Sequence, residues 1–314
     1  MSTSSKQETT SAILLFMAVL LGNAIIFSIV PYISIPGYGF GYSAFQIMLS
    51  YCAIATLCMM PWAIKQGLRG LKTTRFKAYG LRALLEYGSF TLSFFSLAYL
   101  GDLFTLPMHT ALNFITPLLA TVIAIMVLKE RSHWHTWMAL AVGFVGVLVI
   151  TRPGMIPLSP GVLYVLGAAL GFSSCGIVIK LLTRTESSHH IAFYMLSLTT
   201  LLALPAGIYH WQWPSAEGWF WLAVIGVIAY LQQIFVAKAI SKVPYMVLIP
   251  LNFAQLIFAT ALSYAVYGKV VDIWTLLGAS IIVAGTLFNA HRNRKLAEVE
   301  AAEAGKAALG ATAV

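Results

Sequence analysis

The sequence predicts an all-α polytopic membrane protein with ten transmembrane helices, arranged as two inverted five-helix repeats. Of its 314 residues, 60% are apolar and 9% are charged, a composition typical of a chain with many membrane spans. Residues 112–148 and 251–287 align without gaps at a separation of 139 residues, and nine of the 37 aligned positions are identical. The basic residues fall almost entirely on one side of the predicted spans, which supports both their number and their orientation.

The apolar segments divide into ten candidate spans, each close to the roughly 20 residues that cross a hydrocarbon core about 30 Å thick. The first span is too long for the apolar core of a secretory signal, so we expect it to remain as a helix. The tail after the last span is rich in Ala and Glu and lacks the apolar content to fold, so we expect it to be disordered. The ten spans are residues 12–31, 43–64, 78–99, 104–128, 134–151, 160–182, 190–209, 217–238, 245–267 and 272–291.

This assignment divides the chain into two repeats and three shorter segments. The segments are an N-terminal stretch (1–11), the first repeat (12–151), an outer linker (152–159), the second repeat (160–291) and the tail (292–314).

Orientation follows from the positive residues, which are retained on the cytoplasmic side. With a cytoplasmic N-terminus, Arg152 and Lys269 are the two of the 19 Lys and Arg residues that fall in outer segments, which leaves 17 inside. Both termini are therefore predicted to be cytoplasmic. Because each half has an odd number of spans, the second repeat crosses the membrane in the opposite direction to the first. Inverted repeats of this kind are typical of secondary transporters.

Spans 4 and 5 carry a set of motif residues between positions 95 and 154. They are an interior proline in span 4 (Pro117), a Leu-x-Glu-Arg ending (Leu128, Glu130, Arg131), two glycines in span 5 (Gly143, Gly146) and an Arg-Pro-Gly exit (Arg152, Pro153, Gly154). This set resembles the EamA-type repeat of the drug/metabolite transporter superfamily. The resemblance extends over residues 12–291. The second half departs from the pattern, because Lys269 replaces the glutamate and no proline matches that of span 4.

The resemblance implies a ten-helix basket in which spans 1, 3, 4, 6, 8 and 9 line a central cavity and spans 5 and 10 are peripheral. It also implies transport of small metabolites, most often outward, across the bacterial inner membrane. The glycines of span 5 and the pair Gly278 and Gly285 of span 10 fit close helix packing, which small residues permit in lipid.

Polar residues recur on matching faces of spans 4 and 9, where a polar group facing lipid would be costly. His109 and Asn113 share one face of span 4, and Asn252 and Gln255 lie on the matching face of span 9. Pro250, like the proline of span 4, frees backbone carbonyls nearby. We interpret Asn113 and Asn252 as symmetry-related residues of a binding site. The alternative is that each amide bonds a neighbouring helix.

Glu86 on span 3 is a carboxylate clearly inside a span, which makes it a functional candidate. It could bind a substrate amine, or it could carry a proton that couples transport. Alternatively, Glu86 forms an interfacial ion pair with Arg82, one helical turn earlier. The sequence leaves both interpretations open.

Further polar residues complete the predicted substrate-binding set. Tyr and Gln together favour a ligand that has a flat or apolar part as well as hydrogen-bonding groups. His109 either binds an anionic group or is a structural histidine near the outer interface. The complete set is Asn113, Asn252, His109, Glu86, Gln255, Tyr230, Gln233, Asn23 and Ser174.

Enzymatic and nucleic-acid functions are disfavoured. The sequence has no zinc-protease, P-loop or nucleophile-elbow motif, and its histidines have no cysteine or carboxylate at metal-ligand spacing. The formal net charge of +9 is distributed between apolar runs rather than concentrated on one face, so it does not indicate nucleic-acid binding. We expect no catalytic residues, no cofactor and no metal.

The sequence therefore predicts a secondary transporter that exports a small amphipathic or zwitterionic metabolite by alternating access. Its predicted partners are that metabolite, the lipid bilayer and, if Glu86 titrates, protons, while the oligomeric state stays open. Uptake of a vitamin or nucleoside-like metabolite, such as riboflavin or S-adenosylmethionine, is the nearest alternative. A membrane-embedded binding or scaffold protein without transport is an alternative of another class.

Overall fold

The computed structural model describes residues 3–35, 39–98, 106–128, 134–152, 159–182, 185–242, 251–252, 254–268, 270–288 and 291–292. These residues are almost entirely helical. The helices are α1 (Thr3–Ser34), α2 (Ala44–Gly70), α3 (Phe76–Ala98), α4 (Leu106–Asn113), α5 (Thr116–Leu128), α6 (Trp134–Thr151), α7 (Pro160–Leu182), α8 (Ser188–Tyr209), α9 (Ala216–Lys242), α10 (Ala254–Tyr267) and α11 (Ile273–Phe288).

Within the described ranges, five helical segments are long and apolar enough to cross a membrane: Thr10–Ser34, Ala44–Gly67, Pro160–Ile179, Ser188–Tyr209 and Ala216–Val236. Shorter apolar helices are present in α6, α10 and α11. The prediction of an all-helical, multi-pass membrane protein is confirmed. Each predicted span overlaps a described helix, while the number of crossings stays a prediction.

Span 4 is two helices rather than one. α4 ends at Asn113 and α5 begins at Thr116. The N–H groups of the intervening residues 114–115 donate to carbonyls three residues earlier, at 3.1 and 3.2 Å, as in a tightened 3₁₀ turn. Pro117 in the sequence explains the break, because proline has no backbone N–H to donate to the carbonyl four residues earlier. Ser173 on α7 donates to the carbonyl of Thr116 at 2.8 Å, which satisfies one polar group beside the break.

Glycine packing joins α6 to α11, as the sequence predicts for spans 5 and 10. A Cβ atom on Gly146 would lie 2.8 Å from the carbonyl oxygen of Gly278, and a Cβ atom on Gly278 would lie 2.6 Å from that of Gly146. A side chain at either position would therefore force the helices apart.

Arg152, one of the two basic residues predicted on the outer side, is paired. Its Nη2 lies 2.8 Å from Oδ2 of Asp272, just before α11. The ion pair balances the positive charge of Arg152. This explains why a basic residue is tolerated on the predicted outer side, while most others are predicted to be cytoplasmic. The other predicted outer residue, Lys269, lies outside the described residues, as do Glu130, Arg131, Pro250, most of the linker and nearly all of the tail.

Candidate substrate-binding cavity

A cavity of about 310 Å³ lies between helices from both halves of the chain. α1, α3, α4, α5, α7, α9 and α10 contribute to it, together with Tyr51 of α2. Its lining residues are Val19, Asn23, Phe27, Tyr51, Glu86, Phe90, Thr110, Asn113, Phe114, Thr116, Phe172, Gln232, Gln233, Val236, Asn252 and Gln255.

Six of the nine predicted binding residues line this cavity: Asn23, Glu86, Asn113, Gln233, Asn252 and Gln255. They come from segments that are far apart in the sequence. Spans 1, 3, 4, 6, 8 and 9 all contribute lining residues, as the family resemblance implies. In the described part of α6 and α11, the helices of spans 5 and 10, no residue lines the cavity.

The other three predicted residues lie elsewhere. His109 is completely buried behind the lining. Tyr230 packs at the edge of the hydrophobic cluster built mainly from α1, α2, α8 and α9. The hydroxyl of Ser174 donates to the carbonyl of Leu170 within α7 at 2.9 Å.

One wall of the cavity is aromatic. The ring of Phe90 lies 5.3 Å from that of Tyr51 and 5.0 Å from that of Phe172, centroid to centroid. This surface can contact the flat face of a ring system. Sequence reasoning missed these three residues, because aromatic side chains are common in apolar spans and nothing in their spacing distinguishes them.

Asn113 is held in place by the helical turn before it. Its Nδ2 donates to the carbonyl oxygen of His109 at 3.1 Å and approaches His109 Nε2 at 3.5 Å. The same Nε2 lies 3.1 Å from Oγ of Ser93 on α3. The imidazole also makes an edge-to-face contact with Phe27, with 4.9 Å between ring centroids. His109 therefore supports a cavity residue instead of lining the cavity itself.

A second amide group is organised between α1 and α9. Gln232 Nε2 donates both to the carbonyl oxygen of Val19 and to Oδ1 of Asn23, each at 2.9 Å. Gly22 makes room for this arrangement, since a Cβ atom there would lie 3.0 Å from Gln232 Nε2. Gln232 lines the cavity beside Gln233, the glutamine of the predicted set on this helix.

Glu86 and Arg82 form the predicted ion pair, with 3.8 Å between Glu86 Oε2 and Arg82 Nη2. Both side chains are buried within the helix packing, at 7% and 3% exposure, so the pair is not at an exposed interface. Arg82 Nη1 also donates to the carbonyl oxygen of Ile191 at 3.0 Å. Because Glu86 lines the cavity as well, the two interpretations of this residue are compatible.

Cys175 on α7 completes this buried cluster. Its thiol donates to Glu86 Oε2 at 2.7 Å. The sequence suggested only that each cysteine behaves as a small apolar residue. The contact with a carboxylate on another helix has no signal in the spacing of residues along the chain.

Within the described ranges, no three His, Cys, Asp or Glu side chains are grouped so that they could hold a metal ion. The described lining offers hydrogen-bonding groups, aromatic rings and one carboxylate in a buried ion pair. Linings that combine apolar surface with a few polar groups are typical of small-molecule sites.

Comparison with known proteins identifies the class. Residues 159–290 match the EamA-like transporter family. The riboflavin transporter of Vibrio cholerae is 30% identical over 91% of this chain and 94% of its own length. The S-adenosylmethionine uptake transporter of Rickettsia prowazekii is 27% identical over 80% of this chain and 84% of its own length. The pseudopaline exporter of Pseudomonas aeruginosa is 25% identical over 55% of this chain and 61% of its own length.

A solved crystal structure with 17% sequence identity has the same fold, with a TM-score of 0.62 over 91% of this chain and 99% of that chain. The helical fold, the cavity lined by both halves of the chain and these relatives define a multi-pass membrane transporter of small metabolites. The chain belongs to the EamA-like transporter family of the drug/metabolite transporter superfamily, and it is not an enzyme.

Proposed function

We propose that the protein carries a small heteroaromatic metabolite of low net charge, and that the 310 Å³ cavity is its binding site. The observation that carries this proposal is that the lining combines a group of contacting aromatic rings, here called the aromatic wall, with a set of amide side chains, here called the amide wall. Tyr51, Phe90 and Phe172 offer ring faces, while Asn23, Asn113, Gln232 and Gln233 offer hydrogen-bonding groups. The cavity volume is at the lower end of the range for small-molecule sites, roughly 300–1,000 Å³.

The charge of the cavity supports a ligand without a large net charge. Glu86 is the single charged side chain among the described lining residues, and Arg82 lies 3.8 Å from it. Because the two charges compensate each other, a strongly anionic or cationic ligand would meet no unpaired partner there. A neutral ring system or a zwitterion avoids the cost of bringing an unpaired charge into the membrane interior.

Uptake is the direction that the relatives favour. The relative from Rickettsia prowazekii is named as an uptake transporter, and its similarity extends over 80% of this chain. Riboflavin and S-adenosylmethionine, the metabolites named for the two relatives with longer alignments, both contain a flat heteroaromatic ring system. Export is the second candidate, which the sequence-based prediction and the similarity to the pseudopaline exporter favour.

The proposed mechanism is alternating access about two inverted repeats of five spans, residues 12–151 and 160–291. The cavity supports it, because residues of both proposed repeats, Asn113 and Asn252 among them, meet there. The helix break after Asn113 also supports it, since discontinuous helices are common at the binding sites of inverted-repeat transporters. The bias of 17 basic residues against 2 supports cytoplasmic termini and a location in the bacterial inner membrane.

A metabolite comparison of cells with and without the protein tests substrate and direction together. If the protein imports, cells that express it accumulate one heteroaromatic metabolite and deplete it from the medium. Accumulation in the medium would instead establish export. If the two metabolite profiles are identical although the protein is expressed, the proposal that this cavity binds a transported metabolite is wrong.

Proton coupling is proposed for Glu86, because its carboxylate lines the cavity and also contacts the guanidinium group of Arg82 and the thiol of Cys175. In proteoliposomes, the rate of substrate entry should depend on an imposed pH gradient, and Glu86→Gln should remove that dependence. Glutamine keeps the shape of the side chain but cannot exchange a proton. A wild-type rate that does not depend on pH or membrane potential would mean that Glu86 serves only in its ion pair with Arg82.

A further inference from the structure

We infer that the amide wall binds one edge of the ligand in a fixed pattern of hydrogen-bond donors and acceptors. Asn23 donates to an acceptor on that edge, and Asn113 accepts from a neighbouring donor. This inference rests on the proposed function, because it concerns the metabolite bound in the same cavity. It goes further by naming the chemical group that the ligand must carry.

The backbone determines the positions of the amide nitrogen and oxygen of Asn113. The carbonyl oxygen of His109 can only accept a hydrogen bond, so the amide atom 3.1 Å from it must be the nitrogen. The same nitrogen lies 3.5 Å from His109 Nε2, which accepts its second N–H when the imidazole carries its proton on Nδ1. Both donors of Asn113 are thus directed at His109. Its Oδ1 has no hydrogen-bond partner in the part of the chain that the structure describes, and it is the atom left to face the cavity as an acceptor.

Gln232 determines the positions of the amide nitrogen and oxygen of Asn23 in the same way. The carbonyl oxygen of Val19 can only accept, so the atom of Gln232 that lies 2.9 Å away is the amide nitrogen. Its second N–H is 2.9 Å from Asn23, which must therefore present its oxygen there. The nitrogen of Asn23 makes no hydrogen bond to any described residue, so it offers two donors to the cavity.

The two asparagines are placed opposite each other by a ring contact. Phe27 lies one turn after Asn23 on α1, and His109 lies one turn before Asn113 on α4. The rings of Phe27 and His109 are in edge-to-face contact at 4.9 Å. With α1 and α4 antiparallel, as the proposed topology requires, Asn23 and Asn113 lie at the same depth, about 6 Å along the helix axes from that contact.

A ligand edge between these residues must carry an acceptor beside an N–H donor. A lactam or imide edge has this pattern, as in the pyrimidine ring of a flavin, where a ring N–H is flanked by two carbonyl groups. An N-alkylated ring has the same shape and the same acceptors but leaves Asn113 Oδ1 without a donor. A buried acceptor that loses its donor is costly, so the site should distinguish the two compounds.

Riboflavin and N3-methylriboflavin are suitable probes, since they differ in that one donor. Equilibrium binding to the full-length protein in detergent can be followed by the quenching of flavin fluorescence. We expect wild-type protein to bind riboflavin about tenfold or more tightly than the methylated compound. We expect Asn113→Ala to bind both compounds with equal, weaker affinity, while Ser174→Ala behaves as wild type.

Asn23→Asp tests the other half of the inference and does not depend on the folding of the alanine variant. Aspartate keeps an oxygen for Gln232 Nε2 but has no N–H to offer the ligand, so riboflavin affinity should fall about tenfold. The preference for riboflavin over its methylated form should persist in this variant, because Asn113 is unchanged.

The possible outcomes separate this inference from the proposed function. Equal affinity of wild-type protein for the two flavins, with riboflavin transported in vesicles, would overturn the inference alone. Full discrimination by Asn113→Ala would also overturn it. A wild-type protein that neither binds nor transports riboflavin or S-adenosylmethionine would overturn the proposed substrate class and the inference with it.

Discussion

Replacing Asn113 or Asn252 with alanine is expected to reduce transport to near the background of empty vesicles. Both side chains line the central cavity, and they come from the two halves of the chain that the repeat relates. Asn113 is already oriented by two contacts with His109, so its cavity-facing oxygen is available without rearrangement. A ligand group that loses this partner in a site shielded from water is left unpaired, at a cost of about 1–3 kcal/mol.

The measurement is the initial rate of labelled-substrate entry into proteoliposomes, with protein incorporation checked for every variant. Ser174→Ala is the matched control, since this hydroxyl bonds its own helix and does not line the cavity. Its rate should stay close to that of wild type. Full activity in both asparagine variants would show that the substrate binds elsewhere.

Removing Arg82 is expected to have the largest effect on stability. The guanidinium group lies beside Glu86 and also donates to the carbonyl of Ile191, on α8. Arg82→Ala would leave a buried carboxylate without its compensating charge. Breaking a buried ion pair in this way costs about 3–5 kcal/mol, because the remaining charge keeps its desolvation penalty.

Thermal unfolding of the purified protein in detergent measures this effect. Arg75→Ala is the control, because Arg75 is exposed and lies just before α3, so its unfolding midpoint should change little. Replacing Arg82 and Glu86 together with leucine should restore much of the lost stability, since neither charge is then buried alone. An Arg82→Ala variant as stable as wild type would mean that the pair does not contribute to the fold.

Helix locations and most of the polar lining were predictable because they depend on local patterns. Apolar runs of about 20 residues mark membrane spans, and a polar side chain inside a span must face protein or a cavity. This rule selects Asn23, Glu86, Asn113 and Gln233, which line the cavity in the structure. The break in span 4 has a local cause as well, in Pro117.

The remaining lining depends on how each helix is rotated against its neighbours, which no local pattern records. The sequence predicts that His109 and Asn113, one turn apart, share one face of span 4 and both belong to the binding site. In the structure, the imidazole is turned behind Asn113, towards Ser93 and Phe27. Tyr230 likewise points into apolar packing instead of the cavity.

The aromatic wall and the cluster around Glu86 could not be predicted for a related reason. Tyr51, Phe90 and Phe172 lie on three different helices, and each is one of many aromatic residues in apolar spans. The contact of Cys175 with Glu86 also joins helices from different halves of the chain. Such long-range contacts appear only once the helices are assembled.

Substrate counterflow in proteoliposomes tests the central claim, that this cavity binds the metabolite that the protein transports. Vesicles are preloaded with unlabelled riboflavin or S-adenosylmethionine, and entry of the labelled form is followed at equal protein incorporation. We predict accelerated entry of at least one of these metabolites with wild-type protein, and none with Asn252→Ala. No acceleration by wild-type protein with either metabolite, or equal acceleration by both proteins, would contradict the claim.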